Sequence, residues 1–125
     1  MMNSIITKHL IRCSIRAVNT STGYSYFEST TPNIIYLRCN AEDAVVLHEY
    51  YHARQYMRCG NSRYRSRGYL EFKAEQFALR VLKRISPDEY EKRQECLNNF
   101  YCCEISNMQY EHIVSLEMLK KHNFI

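Results

Sequence analysis

The 125-residue sequence contains no apolar run that approaches the length of a membrane-spanning helix. Its N-terminal segment, MMNSIITKHLIRCSIRAV, also lacks the unbroken apolar core of a signal peptide, because Lys8, Arg12 and Arg16 are spread through it. We therefore expect a protein that stays in the cytoplasm and has no membrane partner.

A large excess of charge of either sign is missing as well. The 17 Lys and Arg residues against 13 Asp and Glu residues give a net charge of +4, less than a protein that binds nucleic acid mainly by electrostatics usually carries. Internal repeats, low-complexity tracts and linkers are also absent from the sequence. With 46% hydrophobic residues, a chain of this length can bury one modest core, so we predict a single domain over residues 1–125.

Paired C-x-x-C motifs are a third absence, although the chain has six cysteines. Two of them, Cys102 and Cys103, are adjacent, which suits neither a zinc ribbon nor a simple disulfide scheme. Without an export signal, we predict reduced thiols that pack as small hydrophobic side chains. The set comprises Cys13, Cys39, Cys59, Cys96, Cys102 and Cys103.

Apolar periodicity and turn residues predict an α+β domain that is mostly helical, with a short β-hairpin or small sheet before the central helix. The hairpin is expected from YSYFES and NIIYLRC, joined by a turn at TTPN. Asn40 is a candidate N-cap and Gly60 a C-terminal stop for the central helix, while Pro87 suits the first turn of a later helix. The predicted helices cover residues 4–18, 41–59, 69–85, 87–104 and 108–121.

The central helix contains the stretch VVLHEYYHARQ, in which His48 and His52 are four residues apart and Glu49 follows the first histidine. On an α-helix, residues at i and i+4 project about 40° apart and one turn up, so both imidazoles can reach one metal ion. Glu49 projects about 60° from His52, close enough to contact a metal-bound water without ligating the metal.

A catalytic zinc usually has three protein ligands and an open fourth position, so a third ligand is needed. The next predicted helix contains YLEFKAEQFALRVL, in which Glu71 and Glu75 are again four residues apart and share one face. Ala74 and Ala78 lie on that face too, and small residues there allow a second helix to approach closely. The two polar pairs together make a stronger metal-site signature than either pair alone.

HEYYH followed by EFKAEQFA resembles the gluzincin metallopeptidases over about residues 32–82. The similarity is closest to the small ImmA/IrrE-like and minigluzincin groups. The second helix is also similar to the E-x-x-x-D helix of CAAX prenyl endopeptidases and HtpX-type heat-shock enzymes. The chain departs from the family pattern in having Glu75 where Asp is usual, and in having Tyr50 and Tyr51 inside the motif.

The resemblance implies a small zincin-like fold and a zinc-dependent peptidase that hydrolyses peptide bonds through a zinc-activated water, with Glu49 as general base. It implies His48, His52 and Glu71 as zinc ligands, with Glu75 orienting His48. In such folds an extended protein or peptide substrate pairs with an edge strand beside the site, and NIIYLRC is the expected strand. Candidates to stabilise the oxyanion or to contact substrate are Tyr110, His112, Tyr64 and Tyr69, and the sequence does not select among them.

Five arginines occur with no acidic residue between Glu49 and Glu71. The simpler interpretation is a solvated helix end followed by a polar loop over residues 61–68. The alternative is an anionic partner, either an acidic peptide or a nucleic acid as for SprT-like proteases, although those usually have a third histidine. The five residues are Arg54, Arg58, Arg63, Arg65 and Arg67.

Two further alternatives stay open. The histidines could be ordinary partly buried residues with Glu71 and Glu75 paired to arginines, although burying such a cluster without a cation would be costly. The metal could instead join two helices of a catalytically silent binding module, in which case Glu49 would have no function as a base. The sequence does not determine the oligomeric state.

Overall fold

The computed structural model describes residues 2–60, 66–103 and 110–125, with the backbone alone for residues 59, 100–103 and 110. The described residues form an α+β structure that is mostly helical, as predicted, with a three-stranded sheet before the helix that carries HEYYH. The chain divides into two compact units, Met1–Ser62 and Arg63–Ile125, and a single domain over residues 1–125 stays a prediction. The elements are α1 (Ser4–Arg12), β1 (Arg16–Thr20), β2 (Tyr26–Phe27), β3 (Ile34–Arg38), α2 (Asp43–Cys59), α3 (Arg67–Ile85), α4 (Pro87–Cys103) and α5 (Tyr110–Lys121).

The first helix is shorter than the predicted 4–18, which was wrong beyond Arg12. Ser14 has a left-handed backbone (φ 55°) and its N–H bonds to the carbonyl of Ile11, while the N–H of Ile15 bonds to that of Leu10. This pair of bonds is the Schellman ending of a helix, and Ile15, which follows Ser14, is buried. Because this left-handed position is occupied by serine and not by the usual glycine, the sequence pattern did not predict the end of the helix.

The strand β1 follows directly and was not predicted. It pairs in parallel with β3, whereas β2 pairs antiparallel with β3, so the predicted hairpin is confirmed and the order is β1-β3-β2. The strand NIIYLRC is therefore central, and its assignment as an edge strand for substrate was wrong. Among the described strands, β1 and β2 form the two edges of the sheet.

The helix α2 begins at Asp43, two residues after the predicted start. Asn40 has a positive φ of 59° and lies in the turn before the helix, and Glu42 occupies the N-cap position instead. Gly60 ends the helix as predicted, with a φ of 61° and its N–H bonded to the carbonyl of Tyr56. The buried residues of this helix are Ala44, Val46, Leu47, Tyr50 and Ala53.

The second unit is built from α3, α4 and α5. Ser66 starts α3 two residues earlier than predicted, because its Oγ accepts a hydrogen bond from the N–H of Tyr69. A Cβ built on Gly68 would lie 2.6 Å from Cγ1 of Val114, so only glycine allows the close approach of α3 and α5 at this point. The core of this unit comprises Phe72, Leu79, Leu97, Leu116 and Leu119.

The remaining predictions concern helix ends and thiols. The helix α4 begins at Pro87 as predicted, while the predicted ends at Glu104 and Met108 lie outside the described residues. Three of the cysteines, Cys13, Cys39 and Cys96, are free thiols, and the side chains of the other three are not described. The prediction that the thiols pack as small hydrophobic side chains was wrong for Cys39, which is exposed, and the other two free thiols are only partly buried. In the described part of the chain, no helix combines the length and the apolar character needed to cross a membrane.

Candidate metal centre

The two histidines of HEYYH lie one turn apart on α2 and turn their rings toward each other. The ring centroids are 4.6 Å apart with an interplanar angle of 78°, and the two Nε2 atoms are separated by 3.0 Å. Two imidazole nitrogens that bind one tetrahedral zinc ion at ordinary Zn–N lengths lie roughly 3.3 Å apart. The geometry of His48 and His52 therefore differs by only a few tenths of an ångström from that of a ligand pair.

A third donor joins the histidines. The carboxylate of Glu71 on α3 offers an oxygen to the same group, and the ligand atoms of His48, His52 and Glu71 all lie within 4.8 Å of one another. All three side chains are partly buried. Two imidazole nitrogens and one carboxylate oxygen form a donor set typical of catalytic zinc, so this group could hold a metal ion.

The outer nitrogen of His52 has a partner that the sequence reasoning missed. Nδ1 of His52 lies 2.9 Å from Oε1 of Gln55, three residues further along α2. Residues at i and i+3 are neighbours on a helix surface, so a search for amide or carboxylate side chains three or four residues from each histidine would have found Gln55.

The second acid of α3 is in a different environment. Glu75 is 4% exposed, and both its oxygens accept hydrogen bonds from Arg93 on α4, one from Nε at 3.2 Å and one from Nη2. This two-point ion pair supplies the opposite charge and the hydrogen bonds that a buried carboxylate needs. The predicted role of Glu75 in orienting His48 is not tested by this contact and stays a prediction.

Between the histidines, Glu49 is partly buried whereas Tyr50 is 1% exposed. Tyr50 lies two residues after His48, about 200° around the helix, and therefore points into the core. Its hydroxyl shares a hydrogen bond with Sγ of Cys13 (3.3 Å), and burial, followed by this bond, raises the pKa of Tyr50 to about 12. A large aromatic residue inside the motif is thus explained by core packing.

The predicted oxyanion or substrate contacts stay predictions. Tyr64 and the side chain of Tyr110 lie outside what the structure describes, and His112 is exposed on α5. Tyr69 packs against Phe72 in the core of the second unit, with ring centroids 6.3 Å apart.

The arginines are spread over different environments. Arg54 lies over the rings of Tyr50 and Tyr51, at 5.8 and 5.9 Å from their centroids, while Arg58 is exposed in the last turn of α2, where a cation favours the helix end. Arg67 is exposed and begins α3, so the predicted 61–68 loop was too long. Arg63 and Arg65 lie outside the described residues, and an anionic partner stays a prediction.

Comparisons with family models, with curated proteins and with solved structures found no match to this chain. The resemblance to gluzincins therefore depends on HEYYH and EFKAEQFA alone, and function has to be argued from the geometry of these side chains.

Proposed function

We propose that the chain is a zinc-dependent peptidase with His48, His52 and Glu71 as metal ligands. The observation that carries the proposal is the convergence of their three ligand atoms to within 4.8 Å, with the two Nε2 atoms 3.0 Å apart. Three ligands leave a fourth position of a tetrahedral ion open for catalysis. Glu49, adjacent to His48 and partly buried, gives a reason to prefer a catalytic site to a purely structural one.

Zinc, when bound, would lower the pKa of a water molecule and polarise the scissile carbonyl group. Glu49 acts as the general base: it accepts the proton of the attacking water and then donates it to the leaving amine nitrogen. The histidines and Glu71 hold the ion and do not themselves transfer protons.

An extended peptide adds to a sheet only at a strand edge, where backbone N–H and C=O groups are open. Among the described strands, β1 offers five residues and β2 two, and β3 lies between them, paired along its length with β1 and over two residues with β2. β1 is therefore the longer of the two edges, whereas β2 is the edge that packs against α2, the helix that carries the histidines.

The variant Glu49→Gln tests the proposal because it keeps the size of the side chain and removes its capacity to accept a proton. We expect the parent to bind about one zinc ion per chain, the three-ligand stoichiometry of a catalytic site, and to cleave a mixed peptide library assayed by mass spectrometry. The variant should bind zinc equally and lose hydrolysis by roughly 10²-fold or more.

A parent protein prepared without chelator that contains no zinc would overturn the proposal. Zinc binding with no cleavage, or cleavage that Glu49→Gln leaves unchanged, would favour the catalytically silent binding module instead.

A further inference from the structure

The hydrogen bond between His52 and Gln55 has a defined direction. An amide oxygen can accept a hydrogen bond and cannot donate one, so with Oε1 of Gln55 at 2.9 Å, Nδ1 of His52 carries the ring proton. In the neutral imidazole the other nitrogen, Nε2, then has no proton and presents its lone pair.

That lone pair points at the neighbouring histidine. Nε2 of His52 and Nε2 of His48 are 3.0 Å apart, a normal distance for an N–H···N hydrogen bond. Because His52 is the acceptor, the proton between them belongs to His48. The two histidines are therefore not equivalent in the metal-free protein: His52 is already in the ligand tautomer, whereas His48 must move its proton to Nδ1 before Nε2 can bind an ion.

We propose that Gln55 is a positioning residue that fixes the Nδ1-protonated tautomer of His52 and so prepares its Nε2 as the first metal ligand. This inference rests on the proposed metal site. Groups that hold the outer nitrogen of a ligating histidine orient its ring and increase its basicity. Gln55 is well suited to this function because its neutral amide adds no charge beside the ion.

The tautomer can be measured without any metal. In the metal-free protein, ¹⁵N chemical shifts of the histidine rings at about pH 8.5, well above the ordinary histidine pKa, distinguish a protonated Nδ1 from a protonated Nε2. We expect His52 to be protonated at Nδ1 in the parent and in Gln55→Glu, which keeps an acceptor oxygen. We expect Gln55→Met, which has similar length and no such oxygen, to show a mixture of tautomers.

Zinc affinity gives the second measurement. Gln55→Met should bind zinc roughly 10- to 100-fold more weakly than the parent, the usual loss when an outer hydrogen-bond partner is removed, while Gln55→Glu should restore binding. Gln94→Met is a matched control, because Gln94 donates a 2.7 Å hydrogen bond to the carbonyl of Phe124 within the second unit. It should lower stability and leave the zinc affinity of the folded protein unchanged.

The outcomes separate the two proposals. A parent that binds zinc with the same affinity as Gln55→Met, or whose His52 carries its proton on Nε2, overturns the positioning role and leaves the peptidase proposal intact. A parent that binds no zinc overturns the proposed function and the positioning role with it. Weaker zinc binding and a tautomer mixture in Gln55→Met, both reversed in Gln55→Glu, support the inference.

Discussion

The helices α2 and α3 each present two polar side chains four residues apart, but the two pairs differ in their contacts. On α2 both members turn inward to each other, with His48 and His52 only 3.0 Å apart. On α3 Glu71 joins that group, whereas Glu75 is buried against Arg93. Spacing of four residues therefore places two side chains on the same face of a helix. The neighbouring side chains determine what each of the two contacts.

Glu71→Ala is expected to have the largest effect on zinc binding, and it tests whether Glu71 and Glu75 have different roles. Loss of a direct ligand leaves only two histidines for the ion, so zinc affinity should fall by more than the roughly 100-fold that accompanies loss of an outer partner. Isothermal titration with zinc would measure it. If Glu71→Ala lost no more zinc affinity than Glu75→Ala, the roles of the two glutamates would have been assigned the wrong way round.

Removing Glu75 should act mainly on stability. The side chains of Arg93 and Glu75 are only 16% and 6% exposed. Deleting one partner of such a buried ion pair leaves the other charge uncompensated, at a cost of about 3–5 kcal/mol. Denaturant unfolding of Glu75→Ala measures this. Glu89→Ala is the control, because its pair with Lys92 on the same helix is exposed and should contribute no more than about 1 kcal/mol.

The double variant Glu75→Ala, Arg93→Met separates packing from metal binding. It removes the orphan charge and should recover much of the lost stability. If zinc affinity stays roughly 10- to 100-fold low in the stable double variant, Glu75 also orients His48 as the resemblance implies. Full recovery of zinc affinity would restrict Glu75 to its pair with Arg93.

The smallest of these effects concerns the close approach of Gly68 on α3 to Val114 on α5. In Gly68→Ala the new methyl group would lie 2.6 Å from Val114, and overpacking of this kind costs about 1–3 kcal/mol. The additional change Val114→Ala should relieve only part of the loss, because Cβ of Val114 also lies 2.7 Å from the added carbon. Gly23→Ala, where nothing lies within 4 Å of the added carbon, should change the free energy of unfolding by no more than about 1 kcal/mol, and a larger effect there would refute the packing argument.

The sequence predicted what depends on local pattern. Helical spacing placed the two histidines and Glu71 on helices, and Gly60 marked the end of α2, because both signals are contained in a few consecutive residues. The hairpin of β2 and β3 was found for the same reason.

Features that depend on distant partners were missed. The pairing of β1 with β3 joins segments separated along the chain, so β3 appeared to be an edge. The partner of Glu75 is 18 residues further along the chain on another helix. Gln55 was missed although it is only three residues from His52. The sequence pattern was searched for metal ligands and not for residues that bond to the outer nitrogens of those ligands.

Among the described strands, none pairs with the outer edge of β1, and this edge bears on self-association. A sheet edge with unpaired backbone groups can recruit a second copy of the same strand, which is a route to aggregation in β proteins. β1 has only five residues, and Arg16 and Asn19 are exposed on it, and short polar edges are a common protection against such growth. We expect this edge to accept a single extended peptide without nucleating a continuous intermolecular sheet.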